Sequence, residues 1–299
     1  MSPMRIAIAG SSGLIGSTVT ASLQAHGHEV VRLVRREASG PGEISWDPAE
    51  GRVGPGLEHT DAVINLAGAN VGGKRWTKAY KKEILDSRVL GTTTLATAMA
   101  ALEGGPRVFL NGSAIGYYGD AGTTPLTESS PAGSGFLADV VVAWEGATTA
   151  ATDAGIRVVA LRTGLVVSPR GGAFGRLLPI FKYGLGGRVG SGDQYWSFIS
   201  LRDEVEAIRF CLDHDEISGP VNLVSPHAVT NRDITKAMSE FVRRPAFLPV
   251  PALALKATLG EFADDILASQ NVVPTVLTDA GFEWSDPTIA DALATMRSE

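Results

Sequence analysis

Three glycines within the seven residues Gly10-Ser11-Ser12-Gly13-Leu14-Ile15-Gly16 carry the clearest chemical signal in the chain. A G-x-x-G-x-x-G loop that leaves a short apolar strand and opens an apolar helix can cradle the pyrophosphate of a dinucleotide. Gly10 allows the sharp turn, Gly13 lets the backbone approach the phosphates, and Gly16 lets the helix pack close to the sheet. A ligand-free strand-to-helix turn would use glycines in the same way. The position near the N-terminus, with a second strand following, favours the dinucleotide. NAD-binding loops place an acidic residue ~20 positions on, where it bonds the ribose 2′-hydroxyl. Here the second strand ends Leu33-Val34-Arg35-Arg36, with Glu37 only after the arginines. Arginine suits a 2′-phosphate, and a charge-assisted bond of roughly 1.5 to 3 kcal/mol corresponds to about a 10- to 100-fold preference. NADP is therefore expected over NAD; the competing reading is that Arg35 and Arg36 only solvate a strand end.

Other candidate chemistries fall away. Lys74 to Lys82 is the most basic stretch, but a single turn of lysines on a chain of net charge -6 reads as a solvated helix face, not a nucleic-acid surface. Gly68 to Lys74 spells G-x-x-x-x-G-K, yet Arg75 stands where a P-loop needs Ser or Thr to hold magnesium. The sequon Asn111-Gly112-Ser113 is set aside because nothing points to secretion. The histidines, at 26, 28, 59, 214 and 227, form no i, i+4 pair, and the lone Cys211 offers neither a disulfide nor a cysteine zinc site, so no metal is expected. A reducing, cytoplasmic compartment fits this cysteine usage. No stretch approaches the ~18 apolar residues of a membrane span, and the apolar run after Arg5 is too short for a signal peptide.

These residues need a scaffold, and the apolar runs supply one. Ile6 to Ala9, Val30 to Val34, Ala62 to Ala67, Val108 to Asn111, Val158 to Leu161 and Val221 to Val224 are short and nearly continuous in apolar character. They suit strands buried on both faces. Between them, Leu14 to Gln24, Thr77 to Leu102 and Phe136 to Asp153 read as helices. The expected architecture is α/β, a Rossmann-type doubly wound parallel sheet with a smaller, mainly helical C-terminal substrate lobe. Composition shifts after Arg162 toward glycine and aromatics, and later toward proline-punctuated helices. The boundaries so read are 1-163 and 197-225 for the NADP-binding domain, and 164-196 and 226-299 for the smaller lobe.

Several motifs occur together with the glycine loop: Asn65-Leu66-Ala67-Gly68, Arg162-Thr163-Gly164, and Gly190-Ser191-Gly192-Asp193-Gln194 leading to Phe198-Ile199 and Asp203. The combination resembles the extended short-chain dehydrogenase/reductase family of nucleotide-sugar epimerases. Trp46-Asp47, Tyr117-Tyr118-Gly119, Trp144-Glu145, Gly184-Leu185-Gly186-Gly187, and Gly260-Glu261 through Pro274 to Gly281-Phe282 narrow it. Over nearly its full length the chain is similar to the YfcH-like subgroup of epimerase family proteins, related to the human short-chain dehydrogenase family 39U. The resemblance implies that the loop glycines with Ser11, Ser12, Leu14 and Ile15, and further Arg35, Leu66, Ala67, Gly68, Glu83, Arg88 and Leu165, surround the cofactor. A structural Glu83/Arg88 ion pair is the alternative for those two residues. Homodimerisation through the two long helices is a further expectation from the resemblance.

The resemblance also exposes a departure. The family's proton relay is Tyr-x-x-x-Lys with a nearby Ser or Thr, in which lysine lowers the tyrosine pKa. None of the tyrosines at 80, 117, 118, 183 and 195 has a lysine four residues later, and no lysine occurs from Glu83 to Phe181. Counting back from Glu145, the tyrosine and lysine positions fall at Leu137 and Val141, and the serine position at Ser113 or Ala114. Replacement catalytic groups are therefore sought in Tyr117, Tyr118 and Ser113, and substrate contacts in Glu128, Trp144, Gln194 and Trp196. The competing readings are burial of both tyrosine rings and core packing of Trp144. Trp196, in place of a basic residue, gives little to a diphosphate. The expected function is an NADP-binding oxidoreductase or epimerase-like protein for a small alcohol or carbonyl, with a non-standard proton donor. The alternatives are a catalytically weak NADPH-binding sensor or scaffold module, and a nucleotide-sugar epimerase.

Overall fold

The computed structural model describes residues 3–297. Eight strands form the central sheet: β1 (Arg5–Ala9), β2 (Glu29–Val34), β3 (Glu43–Asp47), β4 (Arg52–Val53), β5 (Ala62–Asn65), β6 (Val108–Ala114), and, after the short β7 (Pro125–Leu126), β8 (Arg157–Thr163); β9 (Leu165–Val167), β10 (Tyr195–Trp196) and β11 (Phe198–Ser200) precede β12 (Gly219–Leu223), the eighth. Its order is β12-β8-β6-β5-β1-β2-β3-β4, and every pair is parallel except β3 with β4. The chain runs outward from β1 in both directions, so the strand order reverses beside the glycine loop, the place where open α/β sheets bind ligands.

Residue alternation explains why both faces are covered. Ile6 and Ile8 pack with Val19 and Leu23 of α1 (Leu14–Ala25), while Ala7 and Ala9 face Leu95 and Met99 of α2 (Lys78–Ala100). The β3–β4 ribbon was not among the expected strands: Glu43–Asp47 alternates polar with apolar residues and carries the core residues Ile44 and Trp46. The strand expected over Ala62 to Ala67, β5, stops at Asn65. The single helix expected over Phe136 to Asp153 is two, α3 (Phe136–Gly146) and α4 (Thr149–Asp153). Thr148 lies at the break and donates its hydroxyl to the Glu145 carbonyl at 2.7 Å, a local bond that competes with helix continuation.

A separate apolar cluster joins Val167, Phe174 and Phe198 to Ile234, Met238 and Leu293. Its helices are α5 (Gly172–Lys182) and, after α6 (Leu201–Asp213) and β13 (Val229–Thr230), α7 (Asn231–Val242); α8 (Ala252–Leu259), α9 (Phe262–Leu267), β14 (Asn271–Val272) and α10 (Thr275–Asp279) lead to α11 (Ile289–Met296), which completes it. The parallel pair β9–β11 joins residues on either side of the boundary expected near 197. Among the described residues no helix is long and apolar enough to cross a membrane.

Candidate active site

The glycine loop is shaped by contacts that leave no room for side chains. Gly10 has φ +78°, and a Cβ there would lie 2.6 Å from the Leu66 carbonyl; at Gly16 it would lie 2.2 Å from the Gly10 oxygen. Gly13 differs, because its Cβ would meet only the Gly10 oxygen, at 3.3 Å, and its outer face is open. Gly13 caps α1 without a side-chain hydrogen bond. The first-turn N–H groups of a helix have no partner within it, so α1 presents donors and the positive end of its dipole at this opening. Exposed Ser12 and half-buried Ser11 flank it, while Leu14 and Ile15 turn partly into the core. The cradle fits a dinucleotide pyrophosphate, with Gly13 and the amides of the first turn as the groups that would hold it.

The two arginines at the end of β2 have different surroundings. Arg36 donates to both Glu43 carboxylate oxygens at 2.7 Å. Those bonds, helped by Ser39, hold the Glu43 carboxyl down at about 2. Arg36 is thus engaged in an ion pair, which corrects the expectation that both arginines stand ready for a phosphate. Arg35 is exposed and without an ion-pair or hydrogen-bond partner among the described residues.

Glu83 and Arg88 do not pair. Glu83 is exposed and meets Lys74 at 3.7 Å, whereas Arg88 points inward and donates to the Ala69 and Ile84 carbonyls at 3.1 Å. One turn and a half of helix separates their directions, and burial lowers the Arg88 guanidinium to about 10. Arg88 lies against Gly68, where a Cβ would be 3.2 Å from its Cζ, and its Cζ is 5.0 Å from the Trp144 ring centroid. Trp144 is buried and donates its indole N–H to Thr92 at 2.9 Å; Thr92 and Asn65 both bond Asn111. This interior network makes Trp144 a support beneath the sheet edge and withdraws it from the proposed substrate contacts. Leu66 and Ala67 are half-buried against opposite core clusters, which fixes the end of β5 beside Gly10.

The residues proposed for catalysis meet at the ends of β6 and β8. Ser113 donates its hydroxyl to Glu145 Oε1 at 2.5 Å, and Glu145 also accepts from Arg162 Nε and Nη2, each at 2.8 Å. Burial works against the Arg162 charge, but Glu145 and Tyr118 together more than offset it, so the guanidinium is held above its ordinary value. Arg162 Nη1 donates to the Tyr118 hydroxyl at 2.9 Å, and that hydroxyl donates to Asn222 Oδ1 at 2.7 Å. Tyr118 is 2% exposed, and burial raises its pKa. Its saturated, enclosed hydroxyl is a structural member of this network, a correction to its candidacy as proton donor. Tyr117 packs edge-on against Tyr118 with its ring 3.6 Å from the Arg162 Cζ, and its hydroxyl has no hydrogen-bond partner among the described residues. Tyr117 thus keeps a free phenol at the site. Leu137 is half-buried and Val141 buried, on the face of α3 that precedes Glu145.

The expected substrate contacts are engaged elsewhere. Glu128 Oε1 accepts the Asn222 and Val276 amides at 3.1 and 3.2 Å, tying β12 to α10. Gln194 is buried and donates to the Val189 carbonyl at 3.0 Å, and the Trp196 indole N–H donates to the Ile266 carbonyl at 3.1 Å. Leu165 starts β9 and packs against the Val167 cluster. Missing from the sequence reading are the roles of Glu145, Arg162 and Asn222. The motifs that hold Glu145 and Arg162 were visible and Asn222 lay unmarked in an apolar run, but a pair separated by 17 residues, and a tyrosine bond spanning 104, have no local spacing to betray them. No group of acidic, histidine or cysteine residues able to hold a metal occurs among the described residues.

Residues 6–224 match the family model described as NAD dependent epimerase/dehydratase family. The chain belongs to that family. Residues 250–296 match a second model, a domain of unknown function, DUF1731. Family members similar to this chain include an epimerase family protein of Mycobacterium bovis, 46% identical over 290 residues with 96% of each chain covered. The human epimerase family protein SDR39U1, whose crystal structure was determined with NADPH, superposes with a TM-score of 0.92 at 33% identity, over 99% of this chain and 100% of that one. A nucleoside-diphosphate sugar epimerase from Corynebacterium glutamicum superposes with a TM-score of 0.81 at 36% identity, over 98% of this chain and 58% of that one. The doubly wound sheet of this chain is thus the fold it shares with the human relative.

Proposed function

We propose that the chain is an NADP(H)-binding oxidoreductase or epimerase-like enzyme for a small alcohol or carbonyl, with Tyr117 as its proton-transfer group in place of Tyr-x-x-x-Lys. The observation that carries this reading is the free hydroxyl of Tyr117 beside a fully bonded Arg162–Glu145–Ser113 network. NADP over NAD rests on exposed Arg35 at the end of β2, and on the NADPH in the human relative's crystal structure. A bound nicotinamide cofactor would supply or accept hydride. The chain's own part is to hold the phosphates at the α1 N-terminus, fix the sheet edge through Arg88 and Trp144, and move a proton at the Tyr117 oxygen. Purified protein with NADPH and a panel of small aldehydes and ketones tests the reading. Turnover that Tyr117→Phe abolishes, and Tyr118→Phe does not, is expected; no turnover with any substrate would count against it.

A second reading, an NADPH-binding sensor or scaffold with weak chemistry, is favoured by one observation: Ser113, one of the two residues at which the family's serine position falls, is already committed to Glu145. Thermal shift separates the cofactor question from the chemistry, since a ligand at ~100 times its dissociation constant adds about 2.7 kcal/mol. NADPH is expected to raise the melting temperature more than NADH; if neither moves it, both readings fail. The nucleotide-sugar epimerase alternative draws support from the name of the Corynebacterium relative, and Trp196 at a position for a basic residue speaks against it.

A further inference from the structure

A cavity of about 380 Å³ opens between one face of α7 and the segment 246–249, and it shares no residue with the glycine loop or the Tyr117 network. Arg232, Lys236 and Ser239 line it from successive turns of α7, Arg188 from the loop before β10, and Phe247 from the facing wall. The wall is strapped in place: Val250 donates its amide to the Arg188 carbonyl at 2.8 Å, and Gly190 donates to Val250 at 2.9 Å. At Gly187 a Cβ would lie 1.7 Å from the Leu248 oxygen, so only glycine permits this approach. Backbone contacts thus hold the wall that faces α7.

Its charge is unusual for this chain. No carboxylate lines it, although the whole sequence has a formal charge of -6. Asp193, beside it, accepts from Arg232 at 2.6 Å and also lies within the electrostatic reach of Arg188. The Arg188 side chain makes a single hydrogen bond, to the Ser191 carbonyl, and the Lys236 side chain is exposed with no partner among the described residues. Two cations therefore have donors to spare, next to an aromatic ring that is 73% exposed. Spare guanidinium and ammonium donors converging on a concave surface match a phosphate group, and a ring left in water matches an apolar or planar portion of the same molecule.

We propose that this cavity binds a small phosphate-bearing molecule, its phosphate held by Arg188 and Lys236 and its apolar or planar part laid against Phe247. The site is independent of the dinucleotide cradle.

The test uses the full chain with pyrophosphate and ADP as probes, in the presence of NADPH, with binding read by hydrogen exchange. Both probes are expected to protect amides in 188–193 and 232–239, ADP at lower concentration. Lys236→Glu and Arg188→Gln should each raise the concentration needed by about tenfold or more. Neither variant should change the melting temperature, because neither side chain holds a core contact, and neither should change protection of 10–16 by NADPH. Absence of protection at 188–193 and 232–239 with both probes would overturn the proposal, as would protection that Lys236→Glu leaves at the wild-type concentration.

Discussion

Arg162 and Glu145 form a two-bond ion pair at the carboxyl end of the sheet, Nε to Oε1 and Nη2 to Oε2, both at 2.8 Å, with the arginine side chain only 3% exposed. The pair joins β8 to α3 and orients Ser113 and Tyr118. Removing one partner of such a pair leaves a buried charge uncompensated, at a cost of ~3–5 kcal/mol. Glu145→Gln should therefore lower the urea midpoint sharply, while the double variant Glu145→Leu with Arg162→Met should recover much of the loss. A double variant as unstable as the sum of its parts would show that the charges are needed for more than mutual compensation.

Tyr118 bonds two interior groups through one oxygen. Tyr118→Phe leaves Asn222 Oδ1 and one Arg162 N–H unsatisfied, which should cost about 1–3 kcal/mol in a denaturation experiment. Tyr117→Phe breaks no hydrogen bond and should melt with the wild type. The reverse order of stabilities would contradict the assignment of the two tyrosines.

The loop glycines are not equivalent. Gly16→Ala would force a Cβ to 2.2 Å from a backbone oxygen, and backbone cannot swing aside as a side chain can. Its expected outcome is a large loss of thermal stability together with dinucleotide binding. Gly13→Ala meets the same oxygen at 3.3 Å, so the fold should persist while the NADPH-induced thermal shift shrinks.

Arg35 and Arg36 separate by partner. Substituting Arg35→Gln should reduce the NADPH over NADH binding ratio by about 10- to 100-fold, the worth of one charge-assisted bond. In Arg36→Gln the ratio should hold, because that guanidinium is occupied by Glu43. Calorimetric titration of each variant with both cofactors measures this directly.

Glu204 sits wholly inside the molecule on α6, with Oε1 accepting from Thr163 at 2.7 Å and Oε2 without a partner. Burial pushes its carboxyl up to about 8, from an ordinary value of 4.5. The folded state therefore keeps this proton while the unfolded chain releases it, and stability falls as pH rises from about 4.5 to about 8, by up to ~1.4 kcal/mol per unit. Glu204→Gln cannot ionise, so its stability relative to wild type should climb across that window and level off above it. A difference independent of pH would mean that Glu204 stays charged inside the fold.

Six of the eight sheet strands and the cofactor loop were legible in the linear chain because they rest on local rules. Apolar runs mark strands buried on both faces, and glycine spacing marks a turn with no room for a Cβ. The missing Tyr-x-x-x-Lys was equally plain, since an absent lysine needs no coordinates. The β3–β4 ribbon and the break at Thr148 were not legible: one is short and half polar, and the other depends on a single hydroxyl bond. Side-chain roles at the site lay further out of reach. Whether Arg36 meets a phosphate or Glu43 depends on how the neighbouring strand pairs, and whether Tyr117 or Tyr118 keeps a free hydroxyl depends on Asn222, which arrives from 104 residues away. Residue type declares what a side chain can bond; only packing decides which partners reach it first, because each buried donor must be satisfied by whatever the fold brings within 3 Å or so.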